Sequence, residues 1–291
     1  MPIQTATTGN LEDAQNIVIA QCRYTAEHNA PCANLIEKFT LGKGNKQVTV
    51  PKVGQASAAN LTDGIDLIAS QDIGLSTVDL TTGEVGLKFI LTYKLINQFN
   101  EDVFKIVGRQ AGDAMARKKD TDIIALFSGL NGGTTLGATA KYLSLQNAAG
   151  CVVHATANKF PSPVFAVHHP NALGYLSTNA QAIGTTYYAG ILGSFSEQLL
   201  RDYWAIRVNG VNFFHDGNIT AIAGDTTGYG CIASKSAMCS ISGWEPMVER
   251  EKDISMRAWE FVMTADYGVF ELDDGYGAPM RYYVSALSTN N

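Results

Sequence analysis

The chain has 291 residues, of which 46% are hydrophobic and only 16% charged, with a formal net charge of -6. A charged fraction below the roughly 25% of ordinary soluble domains leaves much of the surface neutral or apolar, as in a homo-oligomer whose subunits cover one another. The negative balance excludes tight nucleic-acid binding, which needs clustered Lys and Arg, but not a container whose acidic wall lets packed DNA slide.

Cys22, Cys32, Cys151, Cys231 and Cys239 are odd in number and lack CxxC spacing, which argues against a disulfide framework and for a reducing cytosol. Glu12, Asp13 and Gln15 interrupt any signal-peptide pattern, and no apolar stretch reaches membrane length.

Leu11 to Glu27 patterns as a helix, with Ile17, Val18, Cys22 and Ala26 on one side, and reads as an N-terminal arm. In Phe39 to Pro51 the turn GKGN separates two short β-prone runs and predicts a hairpin. Val53 to Asp79 has no Lys, Arg or aromatic residue and cannot build a core. Weak structure of that length is unusual inside a compact domain, so the segment reads as a projecting loop that packs on a neighbouring subunit. Ser76 to Leu95 then alternates as one or two long strands around Thr82-Gly83.

A long helix follows. Asn100 can cap it, with Glu101 and Asp102 beside the unpaired amides of the first turn. Val103, Val107, Ala111, Ala114, Ile123, Leu126 and Phe127 return at spacings of three and four, broken around Lys118 and Lys119. Lys105, Arg109, Asp113 and Arg117 fall four apart on a second face that is solvated or meets a partner. The run ends at Gly129, Asn131, Gly132 and Gly133, after roughly 40 Å at about 1.5 Å per residue.

Beyond it, Tyr142 to Ala149 predicts a short helix, Pro163 to His168 a buried strand, and Pro170 the first turn of a helix through Ser177. Ser196 to Tyr203 reads as a helix and Trp204 to Phe214 as two short strands around Asn209-Gly210. Strands follow at Arg257 to Thr264, Val269 to Leu272 and, after the turn Asp273-Asp274-Gly275, Met280 to Val284. The class is α+β.

No catalytic, cofactor-binding or metal-binding set emerges. His168 and His169 point to opposite faces of a strand end, without partners at ligand spacing, and read as structural. GLNGGTTLGA and GDTTGYG lack the Lys-Ser or Lys-Thr of a phosphate loop and read as loops. Asp273-Asp274-Gly275 lacks the later ligands of a calcium loop, and there is no GxSxG. Trp244 and Trp259 are expected in the core rather than as ligand platforms. Glu249 to Asp253, with mixed signs, is expected to be a solvated turn or a rim of intersubunit pairs.

The order of NLTDG at Asn60 to Gly64, the strand Val85 to Thr92, GRQAGDAMARKKDTDIIALFSGLNGG, PVFAVHHPNALGYL and MRAWEFVMTADYGVFELDDGYG resembles the major capsid protein of tailed double-stranded DNA bacteriophages, the Hong Kong-97-type fold. The resemblance covers nearly the whole chain and rests on element order, not on a catalytic signature. It implies an N-terminal arm (1–37), an extended loop with flanking strands (38–95), a peripheral domain with a spine helix (96–135), an axial domain (136–244) and a return to the peripheral domain (245–291).

The implied function is noncovalent self-assembly into pentamers and hexamers of an icosahedral shell around double-stranded DNA. The implied location is the virion capsid, and the host cytoplasm during assembly. Asn60, Leu61, Asp63, Gly64, Ile65, Asp66 and Ile68 of the extended loop are the expected intersubunit contacts. Arg109, Arg117, Lys118 and Lys119 are candidates for intersubunit salt bridges, with plain solvation as the alternative. The partners implied are further copies of the chain, a portal, decoration proteins and, because the arm is short, a separate scaffolding protein; no membrane and no sequence-specific DNA contact are expected. Some relatives weld subunits through a loop Lys, but Val53 to Asp79 has none, so no covalent chain mail is expected. Two alternatives stand beside this reading: an encapsulin-like nanocompartment shell housing cargo enzymes, and an unrelated α+β enzyme resting on His168, His169 and scattered Ser and Asp.

Overall fold

The computed structural model describes residues 31–54, 56, 58, 60, 63, 74–98, 103–186 and 206–287. The helices expected over Leu11–Glu27 and Ser196–Tyr203, and the capping segment Asn100 to Asp102, lie outside the described residues.

The hairpin expected over Phe39 to Pro51 does not form. Strand β1 (Glu37–Thr40) runs parallel to β10 (Met238–Asp253), while β2 (Gln47–Val53) pairs antiparallel with β3 (Leu75–Thr81). The two runs share too little apolar surface to bury each other. They bury it instead in a joint cluster, where Phe39, Leu41, Val48, Val50 and Val78 pack on Leu80, Cys239 and Ile241. The alternation of Ser76 to Leu95 resolves into β3 and β4 (Gly83–Thr92) around Thr82, and its last residues turn into helix α1 (Tyr93–Gln98).

Helix α2 (Val103–Leu126) then runs the expected course. Its middle, Ala111 and Met115, packs on Met263, Ala265 and Tyr267 of β11 (Ala258–Glu271). Its last turns and the residues after it, Ile123, Phe127 and Leu130, enter a second core with Phe165, Val167, Cys231 and Ala233. One helix therefore ties two sheets together. The first is four-stranded, in the order β1-β10-β11-β4. The second is six-stranded: β5 (Leu136–Gly137), β12 (Gly277–Tyr283), β9 (Thr227–Ser234), β6 (Val164–His168), β8 (Val211–His215) and β7 (Ile206–Val208).

The six-stranded sheet is covered on both faces, which explains why Pro163 to His168 reads as a buried strand. Successive side chains alternate: Phe165, Val167, Cys231 and Ala233 face the end of α2, and Ala166 and Ile232 face the other core. That other core is roofed by α3 (Leu145–Ala157) and α4 (Pro170–Thr186). Both helices are longer than expected. Helix α3 starts later than Tyr142 because Ser144 is its cap, accepting the Asn147 amide at 3.2 Å, and Ala148, Cys151, Val152 and Ala155 then give a helical stripe.

The run GDTTGYG is a loop only at its start; Gly228 and Gly230 lie within β9. At Gly230 a Cβ would meet the Val167 carbonyl at 2.3 Å and His168 Cδ2 at 2.4 Å, so glycine lets the buried imidazole lie across the strand. Burial, with a smaller push from His169, holds His168 down at about 3, so it stays neutral. Strand β11 is continuous where two strands were expected. Gly268, between the two expected strands, is paired with Ile241 in the ladder.

Candidate assembly surfaces

Strand β10 starts in the core and ends in solvent. Met238 to Ile241 are buried, whereas Trp244 to Lys252 are exposed, among them Met247 (51%) and Val248 (49%). On one side the strand pairs with β11 along its length; on the other, among the described residues, β1 covers only Cys239 to Ser242. Beyond Ser242 the ladder shifts register twice, between Ser242 and Trp244 and between Trp244 and Met247. Such bulges bend and twist a strand, and here they mark where the ribbon leaves the core. Gly243 is required there, because Asp266 Oδ2 lies 2.1 Å from where a Cβ would stand. The Asp266 carboxylate in turn accepts from the Thr82 hydroxyl at 2.7 Å.

The charge run Glu249 to Asp253 is therefore ribbon strand, not a turn. The turn comes after it: Asp253 Oδ1 accepts from Ser255 N and Oγ at 2.8 and 2.7 Å and from Met256 N at 3.1 Å. These bonds, the Ser255 hydroxyl first, hold the Asp253 carboxyl below its ordinary range. Ile254 at the tip is 79% exposed. Trp244 is half-exposed, against the expectation of a core tryptophan, while Trp259 packs beside Leu91 and Phe261. An open strand edge lined with exposed apolar residues is a liability for a free monomer and a natural place for another chain to dock.

The β2–β3 ribbon forms a second such surface. Its base is anchored by the Leu80 cluster and by Lys52, whose Nζ lies 2.7 Å from Asp273 Oδ1. Thr49 Oγ1 donates to Asp79 Oδ1 at 2.7 Å across the pair. At its outer end Val53 and Leu75 are exposed and Gly54 N donates to Gly74 O at 2.9 Å, so the chain leaves and returns side by side. Of the expected loop contacts, Asn60 and Asp63 are exposed; Leu61, Gly64, Ile65, Asp66 and Ile68 lie outside the described residues.

The basic residues of α2 divide. Arg109 and Arg117 are exposed. Lys118 is paired within the helix with Asp122. Lys119 is half-buried, 5.6 Å from the centre of the Tyr267 ring, and burial lowers its pKa against the pull of Glu245. All four make contacts within the chain, Lys118 and Lys119 with the partners named.

Two polar features lie away from these surfaces. A cleft of about 740 Å³ is lined by Lys141, Ser144, Asn147, Cys151 and Tyr282. Burial raises both the Cys151 thiol and the Tyr282 hydroxyl, so both stay protonated at neutral pH. The second feature was not foreseen in the sequence: Cys32, Asp120 and Asp216 meet in the interior with their polar atoms within 4.8 Å of one another. Its one trace in the sequence is the break in the apolar stripe of α2, because Asp120 occupies a buried position between Met115 and Ile123.

A sequence model of a phage capsid protein family matches residues 75–278. A comparison with the sequences of characterised proteins finds no match. Among solved structures, the chain is similar to the capsid of cyanophage Pam1, at 15% identity and a TM-score of 0.68 over 91% of this chain and 94% of that one. It is similar to the acidic stable capsid of Helicobacter pylori bacteriophage KHP30, at 10% identity and a TM-score of 0.69 over 97% and 100%. It is also similar to the holo-SrpI encapsulin of Synechococcus elongatus, at 10% identity and a TM-score of 0.65 over 96% and 98%.

Proposed function

Because the chain belongs to the phage capsid protein family and has the Hong Kong-97-type fold, we propose that it assembles noncovalently into pentamers and hexamers of an icosahedral shell enclosing double-stranded DNA. It is a structural shell protein of the virion capsid. The observation that supports the finer reading is the outer part of β10 from Trp244 to Lys252, exposed, with Trp244, Met247 and Val248 beside charged residues and its second edge unpaired among the described residues, which a second copy can cover. The β2–β3 ribbon supports it, since Val53 and Leu75 at its outer end are exposed where the chain leaves toward Asn60.

In this reading 1–37 is the arm, 38–95 the extended loop, 96–135 and 245–291 the peripheral domain and 136–244 the axial domain, with Gly277–Tyr283 crossing back into the axial sheet. Arg109 and Arg117, exposed on α2, are candidates for salt bridges to neighbours. Assembly takes place in the host cytoplasm around a separate scaffolding protein, with a portal and decoration proteins as later partners. The acidic balance of -6 suits a wall that holds DNA without gripping it.

Electron microscopy of the purified full chain tests this reading: closed particles of uniform size are expected, and a chain that remains a small oligomer under all conditions rejects it. The encapsulin likeness favours one second reading, a nanocompartment. Nuclease-protected DNA inside native particles supports the capsid, and a packaged enzyme supports the compartment. A denaturing gel of mature particles is expected to show monomer-sized bands, because Val53 to Asp79 lacks the Lys a covalent link would need.

A further inference from the structure

Cys32, Asp120 and Asp216 come from segments 88 and 184 residues apart in sequence. Cys32 begins a short 3-10 turn, Asp120 sits on α2, and Asp216 follows β8 directly. All of them are buried. Each carboxyl oxygen accepts one hydrogen bond. Asp120 Oδ1 accepts from Cys32 N at 3.1 Å and its Oδ2 from Asn218 Nδ2 at 3.0 Å. Asp216 Oδ1 accepts from Asn218 N at 2.8 Å and its Oδ2 from Cys32 Sγ at 3.1 Å.

The interactions acting on Asp120 and Cys32 come from acids, amides and thiols: Asp216, Asn218, the Cys32 amide and Cys231 of β9. Nearby charges are turned elsewhere. Lys118 pairs with Asp122, Lys119 lies over Tyr267 and is acted on by Glu245 and Lys38, and Lys38 Nζ donates to Asn34 Oδ1 at 2.9 Å. His215 precedes Asp216 at the β8 position that alternates to the opposite face. His168, neutral, lies toward Tyr282 with ring centroids 6.0 Å apart. Two carboxylates in contact inside a protein cannot both ionise without a large penalty.

We propose that Asp120 keeps a proton beside Asp216 and that the cluster forms a pH-sensitive latch, which holds the Cys32 segment against α2 and the turn after β8 and loosens when that proton leaves. The latch is a property of the subunit and stands whether or not the shell reading does. Burial first, and then the bond to Asp216, raise Asp120 to about 7 against the lowering effect of Asn218. The folded chain therefore keeps a proton that the unfolded chain gives up near 3.8. The latch's stabilisation is full below that value and is lost as pH rises through about 7.

Two other groups titrate over the same range. Glu271, raised to about 7 by burial and by Asp274, slopes the same way, whereas His168, lowered from 6.5 to about 3, slopes the opposite way. The test is therefore a difference between chains. Thermal unfolding of the full chain and of its Asp120→Asn variant is measured at pH 5 and pH 8. Asparagine keeps the neutral side chain of the latched state, so the variant's midpoint, relative to the parent's, is expected to rise by several degrees from pH 5 to pH 8. Asp216→Asn gives the same sign and serves if the first variant does not fold.

Hydrogen exchange of the amides of residues 32–36 in the unaltered chain, corrected for the intrinsic rate, is expected to lose about tenfold in protection one pH unit past the transition. A midpoint difference that is constant with pH, or protection of 32–36 that does not change between pH 6 and pH 8, overturns the latch.

Discussion

Strands β9 and β10 are joined by the short turn Lys235–Ala237 and differ in what completes them. Strand β9 is buried nearly throughout, between the roof of α3 and α4 on one face and the end of α2 on the other. Strand β10 starts in the same core and then runs for most of its length in solvent, with one edge unpaired there among the described residues. The six-stranded sheet is finished by its own chain. The outer ribbon of the four-stranded sheet is left to be finished by another. On the proposed function, stability resides in the first region and association in the second, which is the division a shell subunit needs if it is to fold before it assembles.

The largest effect that can break this contrast is a pair of truncations. Phe213 is fully buried on β8, and Phe213→Ala is expected to destabilise the folded subunit by about 3–5 kcal/mol, read from denaturant unfolding. The counterpart is Met247→Glu on the ribbon. Because Met247 is 51% exposed, the unassembled chain is expected to keep its stability to within about 0.5 kcal/mol while particle yield collapses in sedimentation. If Met247→Glu unfolds the free subunit as Phe213→Ala does, the ribbon belongs to the core and the division fails.

Ion pairs give a finer probe. Arg281 on β12 pairs with Asp225, and its Nε donates to Thr227 Oγ1 at 3.1 Å, joining β12 to the turn that leads into β9. The Thr227 hydroxyl and then Arg281 depress the Asp225 carboxyl to about 2 from 3.8. A depressed carboxylate contributes stability above its unfolded pKa and loses it as pH falls, so the contribution is expected to fade between about pH 4 and pH 2. In acid titrations of unfolding, Asp225→Asn should flatten that part of the curve. An unchanged curve would mean that the pair does nothing for the six-stranded sheet.

How legible each region was follows from the same contrast. Long periodic segments could be read directly: α2 from its stripe, β6 from PVFAVH, and β3 with β4 from their alternation around Thr82. The partners of short strands could not be read. Strand β1 looked like half of a hairpin with β2 and instead pairs with Cys239 to Ser242, some two hundred residues on, because local sequence carries no record of long-range pairing. Trp244 read as core because aromatic residues in strands usually are; it is half-exposed because its strand has outrun the core. The absence of Lys and aromatic residues from Val53 to Asp79 was legible; the junction of Cys32, Asp120 and Asp216 was not, since only the folded chain brings those segments together.

The smallest expected effect falls on the exposed face of α2. Lys118 and Asp122 are an i,i+4 pair whose side chains remain 53% and 28% exposed. Water screens such a pair, and holding two long side chains in place costs entropy, so Lys118→Ala should cost about 0.3–0.5 kcal/mol in unfolding of the free chain. Asp122 also accepts from the Tyr267 hydroxyl at 2.8 Å, so its position survives the removal of the lysine. What distinguishes the two roles of Lys118 is the assembled state. If it serves only the helix, particles of Lys118→Ala form with unchanged salt sensitivity. If a neighbour's carboxylate shares it, the variant's particles come apart at lower ionic strength than the parent's, because an ion pair removed from a repeating interface is removed at every copy of it.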